Sequence, residues 1–94
     1  MATITVKLFA NIKEQIGKSN IECKGDTVLT ILEFLINQYP TLKNMIFTNN
    51  IKKIEIIGSI NIFLNGNNIH HLNGLSTKVK DGDELGIFPP VSGG

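Results

Sequence analysis

The feature that most constrains the fold is a change in hydrophobic spacing at Thr27. Before that residue, two short segments alternate between apolar and polar side chains, as half-buried strands do. After it, apolar residues recur at helical spacing up to Tyr39, and Asp26 or Thr27 is suited to cap the first turn. Pro40 ends the helix because proline lacks the backbone N–H that continues one. One main helix of this kind is expected to pack on a sheet.

Four segments alternate clearly enough to predict strands: residues 3–10, 19–24, 59–65 and 84–88. Each has an inward apolar face. Together these faces comprise Ile4, Val6, Leu8, Ile21, Cys23, Ile60, Ile62, Leu64, Leu85 and Ile87. Tight turns separate the strands, including Asn65-Gly66-Asn67-Asn68 and Lys80-Asp81-Gly82-Asp83. Leu75 and Val79 are predicted to anchor the loop between these turns to the core.

The remaining segments are shorter. Residues 11–17 fit either a short helical turn or an open loop, and Leu42 with Ile46 indicates a further helical turn. Residues 51–57 are predicted as a short edge strand and residues 69–72 as a brief strand or its edge.

This order predicts the α+β class, with the helix on one face of a mixed sheet and the other face exposed to water. A right-handed crossover through the helix sets residues 59–65 parallel within the same sheet. The β-grasp (ubiquitin-like) fold satisfies these constraints in fewer than about 100 residues. We therefore predict a β-grasp fold with four to five strands and one main helix.

Two glycines end the chain, and a pair of prolines precedes them in the sequence FPPVSGG. A C-terminal glycine has no Cβ, so an enzyme's backbone and a nucleotide phosphate can approach its carboxylate closely. The prolines remove two backbone donors, so sheet pairing should stop near them. We expect a β-grasp domain over residues 1–88 and a flexible diglycine tail over residues 89–94.

The chain resembles a known family at both ends. FPPVSGG, the preceding LNGLSTKVKDGDELGI and the N-terminal ITVKLFANIKEQIG are similar to the small subunit of molybdopterin synthase. This is the MoaD family, within the MoaD/ThiS group of ubiquitin-like sulfur carriers. The DGDE turn recurs in several β-grasp families, including TGS domains, whereas FPP followed by a terminal GG is more discriminating. Residues between 49 and 60 match no motif of the family.

The resemblance implies a reaction at Gly94. A carboxylate is a poor acyl donor because its leaving group would be oxide, whereas the mixed anhydride with AMP can be attacked by a persulfide or thiolate. An E1-like adenylyltransferase (MoeB/ThiF-like) would perform the adenylation with ATP, and a sulfurtransferase would leave a C-terminal thiocarboxylate. In the family this sulfur enters a pterin precursor inside a large, MoaE-like synthase subunit, during molybdenum cofactor biosynthesis.

The tail is expected to reach that buried active site. Its partners would bind Pro89, Pro90, Val91, Ser92 and Gly93, and the whole arm from Pro89 to Gly94 spans about 20 Å when fully extended. The chain itself is expected to hold no cofactor and no metal. It is not expected to be an enzyme alone, but to donate sulfur when bound to the large subunit.

Three of the five phenylalanines, Phe9, Phe63 and Phe88, fall on the outward side of their strands. The first, last and third main strands are neighbours in a β-grasp sheet, so these rings should form one apolar patch. We predict that this patch docks both the activating enzyme and the large synthase subunit. Two alternatives remain open: a loop covers the rings, or the predicted alternation is one residue out of register.

Composition argues against several other classes. The chain is 41% hydrophobic and 18% charged with a net charge of +1, which favours neither disorder nor nucleic-acid binding. No apolar run is long enough to span a membrane, so we expect no membrane partner and a soluble, cytoplasmic protein. Cys23 is predicted to be a buried core thiol, and His70-His71 has no third ligand nearby for a metal.

Three functions therefore stay open. The first is the sulfur carrier of molybdopterin synthase. The second keeps the carrier chemistry but changes the acceptor, as in thiazole synthesis, tRNA thiolation or the attachment of Gly94 to lysines of other proteins. The third is a β-grasp interaction module whose tail is never activated.

Overall fold

The computed structural model describes residues 1–47, 56–57 and 60–89. In chain order its helices and strands are β1 (Ala2–Leu8), α1 (Ala10–Ile16), β2 (Asn20–Gly25), α2 (Val28–Gln38), α3 (Lys43–Ile46), β3 (Asn61–Leu64), β4 (Asn67–Asn68) and β5 (Glu84–Phe88). Short 3-10 turns occupy Pro40–Leu42, Ile69–His71 and Gly74–Ser76. The 11-residue α2 is the longest helix in these ranges.

The five strands form one mixed sheet in the order β2-β1-β5-β3-β4. β1 is antiparallel to β2 and parallel to β5, and β3 is antiparallel to both β5 and β4. β2 and β3, which flank α2 in the chain, therefore run in the same direction, as the predicted crossover requires. This topology confirms the predicted α+β, β-grasp fold.

The alternation in the sequence correctly identified the core. All ten residues predicted to face inward are at most 7% exposed, and they pack with the apolar side of α2, which comprises Val28, Ile31, Leu32 and Leu35. Residues 11–16 are helical and belong to α1, which ends at Ile16 and is followed by the left-handed C-cap Gly17. Val79 is buried and Leu75 packs partly against the core, as predicted.

A reciprocal pair of threonines begins α2. The Thr30 backbone N–H donates to Thr27 Oγ1 at 3.3 Å, and the Thr27 N–H donates to Thr30 Oγ1 at 2.9 Å. Thr30 Oγ1 also accepts from the Asp26 N–H at 2.8 Å. The sequence predicted the cap at Thr27 but missed Thr30, because a capping box is usually completed by glutamate or glutamine.

One strand prediction was wrong. Residues 69–72 do not form a strand; Ile69–His71 is a 3-10 turn, and the short β4 ends before it. The Asn68 side chain accepts a hydrogen bond from the His70 N–H at 2.9 Å, and this local bond competes with sheet pairing. Most of the predicted edge strand at residues 51–57 lies outside the described residues, although Ile56 forms an antiparallel bridge with Phe47.

The turn before β5 is braced to its neighbours. Asp81 Oδ1 accepts from the Thr3 N–H at 2.8 Å, and the Gly82 N–H donates to the Thr3 carbonyl at 3.0 Å. Asp83 accepts from the Lys80 N–H at 2.8 Å and from the Asn65 side-chain amide at 3.0 Å. These acidic side chains therefore fix β5 between β1 and β3.

A candidate docking site on the open sheet face

The structure brings the rings of Phe9, Phe63 and Phe88 together on the sheet face opposite α2. Phe9 and Phe88 are stacked, with ring centroids 4.3 Å apart and an interplanar angle of 10°. Phe63 meets Phe88 edge to face, at 5.4 Å and 86°. The predicted clustering of these rings is confirmed, and the alternative of a one-residue slip in register is excluded. We call these three residues the aromatic patch.

Sheet pairing explains why the rings meet. Gly86 of β5 lies opposite Phe63 of β3, so Phe88, two residues farther along the same face, is a diagonal neighbour of Phe63. Phe9 follows the last residue of β1 and keeps an extended backbone (φ −133°, ψ 157°) before Ala10 turns the chain into α1. Its ring can therefore continue the outward row of β1 towards Phe88.

The aromatic patch remains accessible. Phe9 is 36% exposed and Phe88 is 37% exposed, while Phe63 is half-buried. Large rings exposed side by side are typical of protein-binding surfaces, because covering them removes apolar area from water. Within the described residues, the alternative that a loop covers the rings does not hold.

A groove of about 550 Å³ extends along the aromatic patch and has polar edges. Lys7 Nζ lies 3.4 Å from the Glu84 carboxylate, and both side chains are about half exposed. The Asn65 side chain accepts from the Glu84 backbone N–H at 2.9 Å, and Asn61 also lines the groove. An apolar centre with a polar rim is the usual anatomy of a protein-binding surface.

The sequence interpretation did not include Lys7, Glu84, Asn61 or Gly86 in the site, although all four line the groove. The signal was present, because Lys7 has the outward parity of Phe9, Asn61 that of Phe63, and Glu84 and Gly86 that of Phe88. The alternation along a strand predicts only the face of the sheet on which a side chain lies. The strand order is needed to show which outward residues are neighbours.

The aromatic patch lies directly before the tail. Phe88 is the last residue of β5, and Pro89, which the sequence interpretation assigned to the tail, is buried. The other predicted tail residues, Pro90, Val91, Ser92, Gly93 and Gly94, lie outside the described residues. A partner that covers Phe88 would therefore also be adjacent to the start of the tail.

Cys23 is buried in the core, as predicted. Burial, together with the smaller effect of the neighbouring Glu22 carboxylate, raises the pKa of its thiol to about 12. Reactive cysteines need the thiolate form and solvent access, and Cys23 has neither near neutral pH. Sulfur carried by this protein would therefore not be held at Cys23.

Other sequence candidates gain no support. His70 and His71 are exposed, and no group of three or more His, Cys, Asp or Glu side chains suited to a metal ion occurs among the described residues. Asp81 and Asp83 accept hydrogen bonds in the turn before β5, as the predicted turn requires. None of the described helices has the length and apolar character needed to cross a membrane.

Comparison with known proteins is consistent across sequence and structure. The sequence model of the ThiS family matches residues 6–94. A putative sulfur carrier protein of Archaeoglobus fulgidus is 36% identical over 76 residues, which cover 76% of this chain and 86% of the relative.

Two solved structures extend the comparison. The solution structure of the small archaeal modifier protein 1 from Methanosarcina acetivorans is 49% identical, with a TM-score of 0.89 over 100% of this chain and 98% of that one. A chain in the complex of subunits 1 and 2 of the molybdopterin-converting factor from Helicobacter pylori is 27% identical. Its TM-score is 0.61, and the match covers 98% of this chain and 99% of that one.

Proposed function

The chain belongs to the ThiS family, and from this premise we propose that it is a ubiquitin-like carrier whose Gly94 carboxylate is activated by adenylation. The observation that carries the proposal is the exposed aromatic patch. Its last residue, Phe88, is directly followed by the proline pair of the diglycine tail. A carrier needs both features, since the tail presents the reacting carboxylate and the aromatic patch holds the partner that reacts with it.

Activation follows from the chemistry of the carboxylate. A Gly94 oxygen attacks the α-phosphorus of ATP, pyrophosphate leaves, and an acyl adenylate forms. The terminal sulfur of a sulfurtransferase persulfide then attacks the acyl carbon and releases AMP. A second thiol of the partner cleaves the remaining S–S bond, which leaves a thiocarboxylate on Gly94 and a disulfide on the partner. This chain contributes no side chain to these steps; its folded domain binds the enzyme that acts on Gly94.

The aromatic patch is the proposed docking surface for the E1-like adenylyltransferase. Phe9, Phe63 and Phe88 offer adjoining rings, and the Lys7–Glu84 ion pair at the rim offers one charge of each sign. Buried aromatic side chains commonly dominate binding energy at such centres, whereas rim charges mainly affect specificity and association rate.

For the fate of the sulfur, we propose transfer to a large molybdopterin synthase subunit docked on the same patch. The likeness to a chain of the Helicobacter pylori molybdopterin-converting factor supports this acceptor. A second candidate function is conjugation of Gly94 to lysines of other proteins, which the 49% identity to a small archaeal modifier protein favours. Host peptides in which a lysine is joined by an isopeptide bond to Gly94 would identify the modifier, whereas a thiocarboxylate consumed with a pterin precursor would identify the synthase subunit.

Extending the chain by one alanine after Gly94 tests the proposal. The exchange of labelled pyrophosphate into ATP, catalysed by the host's E1-like adenylyltransferase, should require the natural chain and stop with the extended one. Exchange at an unchanged rate with the extended chain would refute the role of the Gly94 carboxylate. An absence of exchange with the natural chain would favour an interaction module.

A further inference from the structure

Gly86 lies in the middle of β5, directly beneath the aromatic patch. It lies opposite Lys7 in β1 and Phe63 in β3. An ideal Cβ placed on Gly86 would lie 2.9 Å from Cε1 of Phe88, 3.4 Å from its Cζ and 3.6 Å from Cε2 of Phe9. The Phe88 ring therefore lies over Gly86 in a space that any other residue would occupy.

The backbone gives no separate reason for a glycine at this position. The described glycines with positive φ are Gly17, Gly66, Gly74 and Gly82, and Gly86 is not among them. Glycine within a strand is unfavourable, because it loses more conformational entropy on folding and packs no side chain. A glycine at position 86 instead leaves space for the Phe88 ring.

We propose that Gly86 is a positioning residue for partner docking, which acts through Phe88. By admitting the ring over the strand, it allows Phe88 to stack on Phe9 and to meet the edge of Phe63. This inference rests on the proposed docking function. It adds that recognition depends on the orientation of the rings as well as on their presence.

A substitution at Gly86 should change the orientation of the Phe88 ring without unfolding the domain. Valine has a higher strand propensity than glycine, and its branched side chain would fill the space under Phe88. Phe88 is 37% exposed, so its ring can turn outward without opening the core. Gly86→Val should therefore remain folded while losing the ring stack. Gly86→Ala adds only the Cβ and should displace the ring less.

The test measures pyrophosphate exchange with the host's E1-like adenylyltransferase at varied concentrations of each full-length carrier. We expect Gly86→Val to raise the KM for the carrier by about tenfold or more and Gly86→Ala by a few-fold, with kcat unchanged. In a Phe88→Ala background, Gly86→Val should cause no further rise, because the ring it displaces is gone. The ring-current shifts of the Phe9 protons should diminish in Gly86→Val.

Gly17→Ala is the matched control, since Gly17 has a φ of 81° and no atom lies within 4 Å of its added Cβ. It should lower stability without changing the KM. An unchanged KM for Gly86→Val would overturn the inference while exchange with the natural chain still supported the proposed function. An equal rise in KM with and without Phe88 would also overturn it. Failure of the natural chain to support exchange would instead overturn the proposed function, and this inference with it.

Discussion

Replacing Phe63 with aspartate tests whether the aromatic patch binds a partner. Phe63 meets the Phe88 ring edge to face at 5.4 Å, and such a pair is worth about 0.5–1.5 kcal/mol. Phe63 is half-buried, so the lost apolar burial adds about 1 kcal/mol. Phe63→Asp should therefore lower the free energy of unfolding by about 2 kcal/mol.

This loss is too small to unfold the domain. Domains of this kind have a free energy of unfolding of at least about 5 kcal/mol, so about 3 kcal/mol would remain and fewer than about 1% of molecules would be unfolded. Loss of an aromatic hot spot costs at least about 2 kcal/mol of binding, or about 30-fold in Kd. A weakening of that size cannot come from unfolding.

Isothermal titration of the full-length chain into the host's large synthase subunit, and into its E1-like enzyme, measures the effect. Asn37→Asp is the matched control, because Asn37 is exposed on α2, on the opposite face of the sheet. We expect the control to bind like the natural chain and Phe63→Asp to bind at least about 30-fold more weakly. Equal Kd values for Phe63→Asp and the control, for both partners, would refute the docking role.

Two further predictions concern the folded domain. Thr30→Val should lower the free energy of unfolding by about 1 kcal/mol in urea titrations, because the Asp26 and Thr27 N–H groups lose their acceptor; an unchanged midpoint would contradict this account of the cap. Burial raises the pKa of Cys23 from 9.0 to about 12, so above about pH 9 the unfolded chain loses a proton that the folded chain keeps. Stability should thus be unaffected by this thiol below pH 9 and should fall as pH rises from 9 towards 12, a slope that Cys23→Val should reduce. The same slope in both proteins would contradict the assignment.

The sequence predicted the core because strand alternation and helical spacing both report which side chains face inward. Ile4, Val6 and Leu8 are buried with a period of two, and Ile31 and Leu35 are buried at helical spacing. The sequence failed at residues 69–72, where the Asn68 side chain caps a 3-10 turn. That outcome depends on a local hydrogen bond, which apolar spacing does not report.

The candidate site was partly predictable for the same reason. Parity placed Phe9, Phe63 and Phe88 on the outward face, and the β-grasp strand order made them neighbours. The stacking of Phe9 on Phe88 and the space above Gly86 depend on side-chain rotamers and cross-strand register. No pattern in the linear sequence records these, so the space between Gly86 and the Phe88 ring is visible only in the folded structure.

In the proposed function, Gly94 is the reacting residue. The intact mass of the protein isolated from its own host tests this claim most directly, with fragmentation to locate any change. We predict a fraction of molecules heavier by the difference between one sulfur and one oxygen atom, with the change confined to Gly94. In a host that contains an active E1-like enzyme, an unmodified C-terminus together with no Gly94-linked lysine remnants on other proteins would contradict the claim.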